Sequence, residues 1–176
     1  CGESVRAVGQ EAYLAEIVRG GLQSVPSGQT EAAKALGLSP TRTTVLIVAD
    51  ARSNRQFVAD LLTERKLCDE CLFAEDGLVA FKTLRAIPHV DLVVCDLDMP
   101  RCDGLKFLRL KATDAAFENI PVVVLTGAED VTRKVQALTS GASDYVVKPY
   151  EPSELAARIG VHLKLRKLQA ELVRAN

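Results

Sequence analysis

An α/β protein with a parallel sheet is what the stretch from Thr44 to about Leu165 predicts, on three observations. Five short apolar runs, rich in β-branched residues, alternate strictly with stretches whose apolar residues recur at helical spacing. The runs are close to continuously apolar, as expected of strands covered on both faces. Turn residues such as Pro88, Pro100, Gly104, Gly141 and Pro149 punctuate the alternation.

Val45–Leu46–Ile47–Val48–Ala49 is the first strand, and a helix from Arg52 to Arg65 follows, with Phe57, Val58, Leu61 and Leu62 on one face. Cys71–Leu72–Phe73–Ala74 is a short second strand, and Gly77 to Ile87 is a helix closed by Pro88. Val90 to Cys95 is the third strand. Leu105 to Thr113 is the third helix, with Phe107, Leu108 and Lys111 spaced for a half-buried face. Pro121 opens the fourth strand, Val122–Val123–Val124–Leu125, after which Val131, Val135 and Leu138 recur at helical spacing up to Gly141. Tyr145–Val146–Val147 is the fifth strand, ended by Lys148–Pro149. Glu151 starts the last helix, with Pro152 in the first turn, where a missing N–H is harmless.

Five β-α units predict helices on both faces of the sheet and right-handed crossovers. Five strands suit the flavodoxin-like order 2-1-3-4-5, whose switch point lies beside strands one and three. Asp50 ends strand one and Asp96 ends strand three, so the two are expected as neighbours.

The 176 residues divide into an N-terminal helical arm or linker over 1–43, a domain over 44–160 and a C-terminal helix over 161–176. In the arm, Leu14, Ile17, Val18 and Leu22 sit at helical spacing, weakened by Gly20–Gly21 at roughly 1 kcal/mol per glycine. Thr30 to Gly37 is a shorter helix that hints at half of a helix-turn-helix, but a strand begins where the second helix is needed. A docking or dimerising arm is expected there.

A hydrophobic content of 48% against 26% charged residues is that of an ordinary globular protein. A net charge of −1 with no basic stripe argues against a nucleic-acid or membrane surface. No stretch approaches about 18 consecutive apolar residues, and the start lacks a signal pattern, so a cytoplasmic location is expected. The odd count of five cysteines suggests no disulfide framework. Cys68 and Cys71 form a C-x-x-C, the pattern of a redox pair or of half a zinc site; zinc would need a second pair of ligands, and only His89, His162 and scattered cysteines are available. Cys71 and Cys95 read as small strand hydrophobes.

Chemistry collects at the strand ends, where open α/β sheets place their ligands. Asp50, Asp96, Thr126 and Lys148 all stand there. Singly, each is explicable as a turn or cap residue. Together they resemble a phosphoryl-transfer site: an aspartate can attack a phosphoryl group to give an acyl phosphate. Paired carboxylates favour a divalent cation that offsets their repulsion. A threonine hydroxyl and a lysine ammonium suit the remaining phosphoryl oxygens.

With those residues in place, the chain from about Thr44 to Leu165 resembles a receiver domain of bacterial two-component response regulators. The resemblance rests on Val45–Asp50, on Val93–Gly104 with Met99–Pro100, on Val122–Thr126, and on Gly141 to Tyr150. It implies Asp96 as phosphoacceptor, with Asp50 and the backbone carbonyl of Asp98 as further Mg2+ ligands beside Asp96. It implies Thr126 as switch hydroxyl, Lys148 as the phosphate-pairing lysine and Tyr145 as an aromatic rotor. Asp103–Gly104 would be the turn into the third helix. A sensor histidine kinase or phosphotransfer protein is the implied partner, and the domain is a switch rather than an enzyme in its own right.

One departure matters. The family usually carries two acids at the end of strand one, and Ala49–Asp50 keeps only the second. Losing a carboxylate near a metal removes roughly 1–4 kcal/mol at about 4 Å, so weaker magnesium binding is expected. Gly127 after the switch threonine leaves the phosphoryl pocket unblocked.

In the tail, Val161, Leu165, Leu168, Leu172 and Ala175 alternate spacings of four and three, the seam of a short coiled coil. A homodimer is expected, through that helix or through the face of helix four, strand five and helix five. The tail resembles those that precede a diguanylate cyclase or kinase module, so an output domain is expected beyond it.

Three rivals remain. Ala49 favours a pseudo-receiver, a binding module that never takes phosphate. A haloacid-dehalogenase-type phosphatase matches Asp96–Leu97–Asp98, Thr126 and Lys148, but it needs an acid pair on a strand after the lysine, and Glu151 to Asn176 supply none. A flavodoxin-like electron carrier would need a glycine-bearing phosphate loop where Ala51–Arg52–Ser53–Asn54 stands.

Overall fold

The computed structural model describes residues 42–87, 89–127 and 131–175. The N-terminal helices expected before residue 42 lie outside the described residues. Five parallel strands, β1 (Thr44–Val48), β2 (Glu70–Ala74), β3 (Leu92–Asp96), β4 (Val122–Gly127) and β5 (Asp144–Lys148), form one sheet in the order 2-1-3-4-5. The helices between and after them are α1 (Arg52–Glu64), α2 (Gly77–Ala86), α3 (Gly104–Ala112), α4 (Val131–Thr139) and α5 (Pro152–Ala175), with a 3-10 turn at Ala115–Phe117. α1 meets α5 on one face, while α2, α3 and α4 contact one another in sequence on the other.

Register explains why the strand ends converge. Val48 of β1 is level with Cys95 of β3, and Asp96 is level with Leu125 of β4, so the residues just past these positions share one edge. β1 and β3 are buried throughout, which is why their sequences are unbroken apolar runs. Leu46, Ile47, Leu72, Leu92, Phe107, Leu108, Leu155 and Ile159 fill the core on both faces.

Two details depart from the periodicity. Phe57 does not join Val58, Leu61 and Leu62 in the core but is 47% exposed. Its ring instead lies 6.2 Å from that of Tyr150, just past β5, so α1 presents it at the top edge of the sheet rather than toward its face. Lys111, expected on a half-buried face, is fully buried, and burial pushes its ammonium pKa down, with Arg166 acting in the same direction and Glu118 against it.

The helix that begins at Pro152 continues without a break to Ala175. Its first turns bury Leu155, Ala156 and Ile159, whereas Val161, Leu165, Leu168 and Leu172 further along are exposed. No helix among the described residues is long and apolar enough to cross a membrane.

Candidate functional site

Asp96 terminates β3 with only 3% of its surface exposed. A carboxylate so placed needs partners, and it has them. The Lys148 ammonium, arriving from the end of β5, stands 2.9 Å from both carboxylate oxygens, and the Asp98 N–H donates to Oδ1 at 3.0 Å. The Lys148–Pro149 peptide that follows is cis. Thr126, buried to 1%, sits near the end of β4, the strand paired with β3 on one side and β5 on the other.

Asp50 lies two residues past β1, exposed, its carboxylate accepting the Ala51 N–H at 2.9 Å. Asp50 and Asp96 therefore occupy adjacent strand ends, as the strand order requires, without a direct bond between them. Ala49, buried at 2%, puts a methyl where another carboxylate would add charge.

The loop after β3 is clamped from two sides. Gly77 N–H of α2 donates to the Cys102 carbonyl at 2.9 Å, and Arg101 reaches Glu75 and Asp76 at 3.7 and 3.9 Å. Asp76 caps α2 by accepting the N–H groups of Leu78 and Val79. Arg101 adopts a left-handed φ of 67°, a conformation that costs a non-glycine residue about 1–3 kcal/mol and so marks a loop held by its surroundings. Asp103 caps α3 through the Lys106 N–H, which is the expected turn into that helix. Gly104 beside it is required: a Cβ there would come within 2.8 Å of the Asp96 carbonyl and of Leu97.

From the opposite side, Arg133 of α4 pairs with the Asp98 carboxylate and donates to the Leu97 carbonyl at 3.1 Å. A third cation, Arg55 in the first turn of α1, donates to the carbonyls of Ala49 and Asp50. Arg133 and Arg55 were not found from sequence. The available signal was topological, since each sits near the start of a helix that begins at the carboxyl edge of the sheet. Tyr150 is drawn into the same region: burial first, then the Asp96 carboxylate, raise its phenol pKa.

Tyr145 and Thr126 lie on the same sheet face, because Tyr145 is level with Val124 and Thr126 with Val147. The half-buried Tyr145 ring has the Lys134 ammonium of α4 at 5.6 Å from its centroid. Beyond Thr126, a Cβ added to Gly127 would meet nothing within 4 Å among the described residues, so none of them demands glycine there.

Among the described residues, no three His, Cys, Asp or Glu side chains gather into a metal-holding group. What the strand ends offer is Asp50, Asp96 and the Asp98 carbonyl. Carboxylate and carbonyl oxygens are the donor type that a hard dication takes.

Residues 45–160 match the response regulator receiver domain family. The chain belongs to that family. Over 136 residues this receiver domain is 36% identical to hybrid signal transduction histidine kinase D of Dictyostelium discoideum, covering 75% of this chain and 8% of that protein. It is also 36% identical over 115 residues to the phosphate regulon transcriptional regulatory protein PhoB of Klebsiella pneumoniae, covering 65% of this chain and 49% of PhoB. The chain thus spans half the length or less of these two relatives. A putative response regulator from Chloroflexus aurantiacus superposes with a TM-score of 0.65 at 27% identity, covering 70% of this chain and 99% of that one.

Proposed function

We propose that this receiver domain accepts a phosphoryl group on Asp96, from a sensor histidine kinase or phosphotransfer protein, and relays the event to an output module. The observation that carries this reading is the Lys148 ammonium held 2.9 Å from both oxygens of a buried strand-end aspartate. One carboxylate oxygen forms the new P–O bond as the donor's P–N bond breaks, and the electron pair leaves with the donor imidazole. Lys148 retains the other carboxylate oxygen and then a phosphoryl oxygen, and the Thr126 hydroxyl takes another. Mg2+, held by Asp50, Asp96 and the Asp98 carbonyl, would neutralise charge on the transferring group. Positioning and charge do most of the work in such a transfer.

Relay follows from the same charges. The phosphoryl group competes for the cations that now hold Asp96 and Asp98, Tyr145 turns toward Thr126, and α4 shifts. The exposed seam of α5, Val161, Leu165, Leu168 and Leu172, is the surface through which a second copy would pair and drive an output domain such as a diguanylate cyclase.

Intact mass after treatment with a small acyl phosphate and Mg2+ tests the reading. Wild type should gain about 80 Da and Asp96→Asn none. No gain in wild type would favour the second reading, a pseudo-receiver, for which Ala49 speaks.

A further inference from the structure

Cys68 and Cys71 flank the start of β2, an edge strand, with their sulfurs 3.1 Å apart and both partly exposed. Backbone bonds hold the turn that carries them. The N–H groups of Asp69 and Glu70 both donate to the Thr43 carbonyl, at 2.8 and 3.1 Å, and the Asp69 carboxylate accepts the Thr43 N–H at 2.7 Å. The sulfur contact is therefore built into the fold where the chain enters β1 and β2. Cys95, by contrast, is buried, and Cys102, though also partly exposed, lies apart from the pair, against α2 near Gly77.

The two thiols are unequal. The hydrogen bond from Cys71 lowers the Cys68 pKa, overcoming burial and the nearby Asp69 charge, while the same bond and then burial push the Cys71 thiol up. The more acidic Cys68 and the less acidic Cys71 stand in contact, partly open to solvent.

We propose that Cys68 and Cys71 form a redox modification site, closed to an intramolecular disulfide by exchange with a low-molecular-weight disulfide. Cys68 gives its proton to solvent, and its thiolate attacks one sulfur of that disulfide, which forms a mixed disulfide and expels one thiolate. Cys71 then gives its proton to solvent, and its sulfur attacks Cys68 Sγ, expelling the second thiolate. Two electrons pass from the protein thiols to the small disulfide, and the two protons end on its two product thiols.

The test uses the full chain and 2-hydroxyethyl disulfide, a neutral probe chosen because Asp60, Asp69 and Glu70 place negative charge on the pair. Wild type should lose about 2 Da, reversibly with a reductant, and peptide mapping should place the link between Cys68 and Cys71. By peptide mapping, Cys71→Ser should hold a stable adduct of about 76 Da on Cys68 with no link, and in Cys68→Ser the remaining Cys71 should react at least about tenfold more slowly. Two adducts without a link, a link to another cysteine, or no reaction at either sulfur would each overturn the proposal.

Discussion

α3 and α4 each run for nine residues and pack beside one another, yet α3 buries Gly104, Leu105, Phe107, Leu108 and Lys111 where α4 buries Ala137 alone. The apolar stripe of α4, Val131, Val135 and Leu138, faces outward. What holds α4 and its neighbours is charge: Arg133 on the loop after β3, Lys134 over Tyr145, and Lys148 from β5 on Asp96. At the other end of β5, Asp144 is gripped by Arg158 at 3.0 Å and His162 at 3.2 Å of α5. Burial does not respond to an added anion, but an ionic fastening does. Under the proposed function, a phosphoryl group on Asp96 would therefore act on the α4 side of the molecule and leave α3 where it is.

The contrast is sharpest in stability. Phe107→Ala in α3 should cost about 3–5 kcal/mol in urea unfolding. Val135→Ala in α4 should stay within about 0.5 kcal/mol. Comparable losses at the two positions would remove the distinction.

Next comes pH. Burial alone would raise the Asp144 carboxyl pKa, but the Tyr145 N–H, Arg158 and His162 together hold it below its ordinary 3.8. A carboxylate with a lowered folded pKa adds stability above its unfolded value and loses it as pH falls through the folded one. Asp144→Asn should therefore be most costly at neutral pH, and its gap from wild type should close as pH drops below about 3.8. A gap independent of pH across that range would show that the charge of Asp144 is not what fastens β5 to α5.

The effect of Arg133→Ala on global stability is also small. Its pair with Asp98 is half exposed, so the loss should be under about 1 kcal/mol and should shrink with added salt. Amide exchange in α4 should nonetheless rise while exchange in α3 stays as it was. Equal change in both helices would count against the role given to Arg133.

The sheet and its order were legible because apolar runs and turn residues report strands directly, and strand order then placed Asp50, Asp96, Thr126 and Lys148 at one edge. Phe57 was misplaced because helical spacing fixes a face without saying where along the sheet that face ends. Val131, Val135 and Leu138 gave a correct helix and no hint of exposure, since a stripe does not reveal whether anything covers it. Arg55 and Arg133 reach the site by long side chains from helix starts, and such reach depends on helix position rather than on any local motif. The contact of Cys68 with Cys71 depends on how Thr43 pins the intervening turn, a pairing across 26 residues that spacing alone does not carry.

The most direct test of the central claim is amide hydrogen exchange on the full chain, with and without beryllofluoride and Mg2+ as a phosphoryl mimic. Exchange should change in α4 and β5 and remain the same in α3. An adduct that leaves α4 unaltered, or alters α3 and α4 alike, would contradict the account.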